Sequence, residues 1–426
     1  MAALTVVMGI FFVMALVAAY TNRNLMFEQR TSANSYRAER AITAADAAAD
    51  WALAMLNTGR IDAQCRPSTV ATDTDFRTRY LTLDPVSGGY SVVSQSSDPF
   101  YPGCLMTRGD NPSLSCACPT AALKTTSIDA PSGYLATSFR VGFGMQSGQS
   151  FTSPGAVILQ VRGCSNSGDG AGACQSKAAA PTVDAVSLVR ANIGLLRALP
   201  AAPLAAITSG TTATAATAVV AVSNPDPNTG ITVHAGGVVD MAASTFTVPA
   251  GATGDGLRYS DTALKTLADG TRFFDTLFGM APDFYKKQPG VVRITCPNTG
   301  CTLSNLTDAN WLTGYPGRTV VVDGDLAIDT ALATTTVGST TTPVMLVVTG
   351  DLTWTQQMDF TGFIYARNIT VSGSAASSTV RGALVTAQAF TSSVAMTVAY
   401  DAAVVNLIAK GFGSFVRVPG GWNRGA

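Results

Sequence analysis

The chain has 426 residues, which is length enough for two or three domains and for a sizeable core. Charged residues make up only 13%, and Lys plus Arg equal Asp plus Glu at 27 each, so nothing attracts a polyanion and nucleic-acid binding is set aside. With one histidine, His234, any metal site would have to be built almost entirely from thiolates.

Residues 1–20, MAALTVVMGIFFVMALVAAY, carry no charge before Arg23. They match the roughly 20 apolar residues that cross a bilayer. The other reading, a cleaved secretory signal, lacks a basic region ahead of the apolar run, and Val17 and Ala19 make a weak cleavage site. From 22 to about 57 there is neither Pro nor Gly, and good helix formers dominate, so one helix over residues 1–58 is expected, of roughly 87 Å at about 1.5 Å per residue. Ala33, Tyr36, Ala41, Ala44, Ala48, Trp51 and Met55 recur at helical spacing, and that face needs a cover.

The eight cysteines, Cys65, Cys104, Cys116, Cys118, Cys164, Cys174, Cys296 and Cys301, all lie beyond residue 60 in polar, Gly/Pro-rich surroundings, which suits disulfides in an oxidising compartment. Local bridges are expected for Cys164 with Cys174 and for Cys296 with Cys301, leaving the other four to pair among themselves. A calcium loop around Asp169 would have a single carboxylate. Arg23, Arg30, Arg37 and Arg40 against Glu28 and Glu39 would place the segment after the apolar run in the cytoplasm, whereas the cysteines place it outside. The cysteines extend over most of the chain, so the outside reading is preferred.

The uncharged start followed by NRNLMFEQRTSANSYRAERAITAADAAADWALAMLN resembles the N-terminal region of PilX-type minor pilins, with its Glu-Gln-Arg-x-x-x-Asn block, its Ala-Ala-Asp-Ala block and a Trp-Ala-Leu. The likeness covers about the first 60 residues; the ending SFVRVPGGWNRGA adds a short, Gly-rich echo. It implies a subunit anchored in the inner membrane of a Gram-negative bacterium before assembly, a basic leader removed by a prepilin peptidase, Met1 as the mature first residue, and packing against other pilins in an extracellular pilus. Most pilins of the filament body carry Glu at the fifth mature position, where it neutralises a neighbour's ammonium; here it is Thr5. By the same resemblance, such a subunit belongs at the filament tip, where it would support assembly and adhesion to glycan or protein surfaces.

From 59 to 205 short apolar strands at 90–94, 138–145, 156–164 and 183–196 alternate with turn-rich segments, an α+β head unit. Residues 206–230 are rich in Ala, Thr, Ser and Gly and read as a surface connection into a second unit, 206–426. There VVVDGDLAI at 320–328 and LVVTGDLTW at 346–354 repeat, with looser echoes at 363–371 and 383–391, the signature of stacked β-rungs and so of a right-handed parallel β-helix or a shorter stack; an antiparallel sandwich is the alternative. A helix over 262–280, with Leu264, Leu267, Phe273, Phe274, Leu277 and Phe278 on one face, is expected to cap or flank the rungs.

Some parallel β-helices degrade polysaccharides, and Asp323, Asp325, Asp351, Asp359, Arg367 and Arg381 near the rungs are the candidates for a catalytic row. Asp325 and Asp351 sit in Gly-Asp-Leu turns, where Asp satisfies backbone donors. No GxSxG, P-loop, Rossmann fingerprint or HExxH motif occurs, and His234 in ITVHAGG reads as a strand or turn residue. The expectation is therefore a structural subunit with no catalytic residue, cofactor or metal. A membrane-tethered β-helix enzyme acting on surface polysaccharide and a pseudopilin of a secretion system are the alternatives.

Overall fold

The structure, a computed structural model, describes residues 2–70, 72–93, 102–108, 112–120, 135–144, 154–165, 174, 185–215, 217–268, 271–296, 300–302, 318–330 and 336–425. It is an α+β molecule, a long N-terminal helix followed by a large β-rich head that contains parallel sheets. The loop within residues 166–172, including Asp169, lies outside the described residues.

Helix α1 runs unbroken from Ala2–Leu56, as the absence of Pro and Gly beyond Gly9 dictates. Its C-terminal part buries Ala41, Ala44, Ala45, Ala48, Ala49 and Ala52 against an antiparallel sheet. Alanine keeps the separation small. The sheet order is Gly413–Gly425, Val186–Arg197, Ala156–Cys164, Leu135–Phe143, Gly103–Arg108 and Ser113–Ala117. Strand Ala156–Cys164 alternates in burial along its length, so Val157, Leu159 and Val161 face the helix side while Ile158 and Gln160 do not. Trp51 of α1 packs edge-on against Phe76 at 5.6 Å and near Phe139 at 5.4 Å, and Phe76 belongs to the short helix α2, Phe76–Tyr80. The final strand, Gly413–Gly425, pairs antiparallel with Val186–Arg197. The chain's end therefore lies on this sheet and not among the rungs, where its sequence position alone had put it. A partner more than 200 residues away leaves no local signal.

The rest of the head is a three-sided stack of parallel strands. One side holds, in order, Leu257–Arg258, Ile231–Ala235, Ala205–Ser209, residues 384–386, residues 362–366, Val344–Val348, Thr319–Asp323 and Val291–Thr295. A second holds Val239–Asp240, Ala213–Thr214, Phe390–Ser392, Ile369–Val371, Leu352–Trp354, Leu326–Ile328 and Cys301–Thr302. The third holds Thr245–Thr247, Val220–Ser223, Met396–Ala399, residues 378–381, residues 359–361 and Thr336–Val337. Parallel pairing throughout excludes the antiparallel sandwich. Residues 359–366 and 378–386 each supply two sides and bend at Gly362 (φ +150°) and Gly382 (φ +138°), a backbone region that only glycine occupies without strain. The interior is filled by Trp354, Phe360, Phe363, Phe390 and rows of Val and Ile.

Rung order does not follow chain order. Residues 291–399 climb the stack in sequence, and the next rung above them is 205–223, followed by 231–247 and then 257–258. Residues 206–223 are therefore central rungs, not a surface connection: Ala206, Ile207, Ala213, Ala215, Val220 and Val222 are buried. The Ala/Thr composition reads as loop because small side chains carry little strand signal, while the rung's stability comes from neighbours on both sides. Only 224–230 is a turn, closed by Asn224, whose Nδ2 donates to the Leu204 and Ile231 carbonyls at 3.2 and 2.8 Å.

The link from the last rung to the first is a strap over one side. The expected helix at 262–280 divides into α3, Thr262–Leu267, and α4, Arg272–Phe278, followed by α5, Pro282–Tyr285. Asp269 and Gly270 separate the first two in sequence, and Gly279 at φ +72° ends the second. Helix α3 lies over the glycines of the 205 and 231 rungs, α4 sets Phe274 and Phe278 edge-to-face with Tyr365, and the Tyr285 hydroxyl of α5 donates to the Ala198 carbonyl at 2.9 Å. Sequence inspection missed α6, Ala402–Gly411, which buries Val404, Val405 and Ile408 and leads into the last strand. Its N-cap is Asp401, which also pairs with Arg381 at 2.7 Å.

Asp323 ties the strap to the rungs, accepting from Lys286 Nζ at 3.2 Å and Arg293 Nη2 at 2.6 Å. Burial raises its pKa, but the bonds from Arg293 and Lys286 outweigh this and hold the carboxyl below its ordinary range. Asp323→Ala is expected to cost about 1–3 kcal/mol near neutral pH. A group with a depressed folded pKa stabilises above its unfolded value, and loses that contribution as pH falls through the folded one. The difference between wild type and variant in urea unfolding should therefore shrink below about pH 4; a constant difference would show that the charge is not responsible.

Candidate functional site: the long helix and its seat

Residues 3–39 of α1 are exposed along their length, with Tyr36 and Glu39 coming beside Met106 and Thr137 of the sheet. At about 1.5 Å per residue this is a projection of roughly 55 Å. Over residues 3–20 large apolar side chains cover it on all sides, among them Leu4, Met8, Phe11 (71% exposed), Phe12 and Leu16, and charged residues begin at Arg23. A helix apolar all round demands burial in lipid or among other helices, and this one is long and apolar enough to cross a membrane. Within it Thr21 and Thr31 donate their hydroxyls to the Val17 and Phe27 carbonyls at 2.8 and 3.0 Å, which lets polar side chains stay in an apolar setting. Thr5 is on this exposed segment; Met1 lies outside the described residues. Removing residues 1–27 is expected to give a head that stays monomeric without detergent and keeps its disulfides, read by size exclusion and thiol counting; aggregation would place essential contacts in the deleted part.

The seat of the helix is built from three distant segments. Asn57, just past the last turn, pairs both ways with the final strand, Nδ2 donating to the Phe415 carbonyl at 2.9 Å and Oδ1 accepting from the Phe415 N–H at 2.8 Å. Arg77 donates to the Leu56, Gly411 and Gly413 carbonyls at 3.2, 3.0 and 3.0 Å and lies over the Phe415 ring. Arg318, at the edge of the rungs, donates to the Asn57 carbonyl at 2.6 Å. Two guanidinium groups thus satisfy carbonyls where the helix dipole is negative. The helix is fixed to the sheet and to the stack at one point. A cavity of about 460 Å³ opens beside this point between Leu56, Arg60, Leu83, Thr342 and Phe412. Sequence reasoning found none of these groups; an Asn directly after a long helix is the one available hint.

The structure pairs the cysteines as Cys65–Cys118, Cys104–Cys116, Cys164–Cys174 and Cys296–Cys301. Cys104 and Cys116 join neighbouring strands of the sheet, and Cys65–Cys118 ties the segment after α1 to the end of the sheet's edge strand. Cys296–Cys301 closes the first rung at the end of the stack.

Asp323, Asp325 and Asp351, candidates for a catalytic row, are engaged in hydrogen bonds and ion pairs. Asp325 Oδ1 accepts the Asp351 N–H at 2.8 Å, across rungs and not within its own turn. Asp351 accepts from Arg367 Nε at 2.7 Å and Asn368 Nδ2 at 2.9 Å, and the Arg367 bond holds its pKa low. Asp359 stands in a column with Thr336 and Thr379 on the third side. His234 is on strand Ile231–Ala235, its Nε2 2.8 Å from Oδ2 of Asp261, the N-cap of α3; the Leu264 backbone bond and then the His234 contact depress the Asp261 pKa. Among the described residues no group of His, Cys, Asp and Glu is arranged to hold a metal ion.

No protein-family model matches the chain, and no curated protein matches it in sequence. Among solved structures it is similar to the competence-associated pilin ComZ from Thermus thermophilus, at 10% identity over 91% of this chain and 97% of that one, with a TM-score of 0.21. At that score the likeness carries no structural weight.

Proposed function

We propose that the chain is a minor pilin of a type IV pilus, of PilX type, at or near the filament tip, where it supports pilus assembly and adhesion. The observation that carries this reading is a single helix whose residues 3–20 are exposed and apolar on every side while its C-terminal part, from about residue 41, is locked into a disulfide-braced head. An enzyme needs only an anchor and a linker; a helix rigidly seated at its far end, extending well beyond one bilayer thickness, suits packing against other pilin helices. On this reading the chain waits in the inner membrane of a Gram-negative bacterium after a prepilin peptidase has exposed Met1, then moves into the extracellular filament. Thr5 in place of a carboxylate favours a position with a pilin neighbour on one side only. The stack then points outward, where glycan or protein surfaces of a host or substrate can meet it. The carboxylates near the rungs serve turns and ion pairs, which favours a structural role over polysaccharide cleavage.

Labelled protein is expected as single foci at filament ends, and deletion should reduce piliation or adhesion while the major pilin still folds. Labelling all along the shaft would defeat the tip position. Absence from filaments altogether would defeat the pilin reading.

A further inference from the structure

Where α1 enters the head, an open cavity of about 210 Å³ is lined by Tyr36, Glu39, Arg40 and Thr43 of the helix and by Met106 and Thr137 of the sheet. Arg40 lies over the Tyr36 ring at 5.6 Å, and its Nε and Nη2 are buried without a hydrogen-bond acceptor among the described residues. Leaving charged donors buried and unmet is costly. Nε and Nη2 form one edge of the guanidinium plane, the edge that takes both oxygens of a carboxylate in a bidentate pair. Glu39, the adjacent carboxylate, makes no ion pair with it.

We propose that this cavity receives an Asp or Glu side chain from the N-terminal helix of an adjoining filament subunit, an inference that rests on the pilin reading above. Lipid phosphate is too far. Arg40 is 20 residues past Tyr20, about 30 Å along the helix, whereas headgroups add only about 5–8 Å on each side of the hydrocarbon. The cavity also continues the uncovered surface of residues 3–39, so a helix covering that surface passes the cavity mouth. A charge pair there would help to fix the axial offset between two neighbouring helices, since contacts along the apolar run alone set no register.

The test uses the full chain in its own cells. In Arg40→Lys cells a water-soluble carbodiimide, applied to membranes and to sheared filaments, should join the substituted side chain to an acidic residue in the helical segment of another subunit, located by mass spectrometry. Arg40→Gln should lower incorporation into filaments on the order of tenfold or more, and Arg40→Glu should abolish it. In purified chain, Arg40→Met should leave the thermal midpoint unchanged or raised, because an unmet charge is removed; a lowered midpoint would mean that Arg40 is already satisfied within its own head and would overturn the proposal. So would a link only to Glu39 of the same chain, a link to another subunit's head, no link in either preparation, or wild-type incorporation of Arg40→Gln. Wild-type chain missing from filaments would count against the pilin reading, and the membrane arm would then decide for the cavity by the same criteria.

Discussion

Gly163→Val is expected to unseat the long helix from the head, at a cost above about 3 kcal/mol. A Cβ at Gly163 would lie 2.3 Å from the Ala41 carbonyl oxygen and 2.4 Å from the Ala45 nitrogen. Both are helix backbone, which cannot turn aside as a flexible side chain can. Relief requires lifting α1 by about 1 Å, and overpacking alone costs about 1–3 kcal/mol. The lift also parts the alanine face from the sheet, and the contact it loses is the whole of the docking on that side. Gly194→Ala is the control: it lies on the adjacent strand, its Cβ would meet only the Val418 Cγ2 at 3.3 Å, and the cost should be under about 1 kcal/mol. Urea unfolding of the head without residues 1–27, together with protease sensitivity of residues 41–52, reads both. Equal effects of the two substitutions would show that the close approach does not govern docking.

A second large effect is expected at the bend of the stack. A Cβ at Gly382 would be 1.9 Å from the Gly362 carbonyl oxygen, and one at Gly362 would be 1.8 Å from that of Val344, so the two glycines form a column in which each rung's backbone rests on the next. Gly382→Val adds the strain of a valine at φ +138°, about 1–3 kcal/mol, to a collision with no room for relief, and a total of about 3–5 kcal/mol follows. Gly251→Ala separates the two causes. It has φ +84° and open space around it, so it should show the conformational cost alone, about 1 kcal/mol. If Gly382→Val were no worse than Gly251→Ala, the bend would be tolerant and the rung contact unimportant.

The long helix was legible because its signal is local: an apolar run, then helix formers with no breaker over some fifty positions. So were the rungs at 320–391, since short apolar strands recur there with polar or Gly corners, two of them Gly-Asp, and the two short cysteine loops. The 205–223 rung was not, because alanine and threonine fit a loop as well as a strand until neighbours bury them. Strand Gly413–Gly425 and the pairing of Asn57 with Phe415 depend on residues far apart in sequence, and no window of residues contains both partners. Arg40 looked like one more solvated charge among Arg23, Arg30 and Arg37; its unmet donors follow from the sheet that closes over it. Asp325 does serve a backbone donor as expected, but one on the next rung, whereas Asp351 instead accepts from the Arg367 and Asn368 side chains.

The out-of-order rungs set a timetable for synthesis. Residues 205–258 are synthesised early, yet their lower edge stays bare until residues 378–399 arrive to pair with it, and the helix seat waits longer still for Phe415. Such distant contacts are slow to form because loop closure must precede any reward. A ribosome that stalls, or a chain cut short near residue 376, therefore leaves an unpaired strand edge and an unseated helix, the kind of exposed surface that quality-control proteases recognise. Only a chain translated through residues 413–425 presents a closed sheet on a seated helix, so folding of the head is itself a check that these late residues have been made.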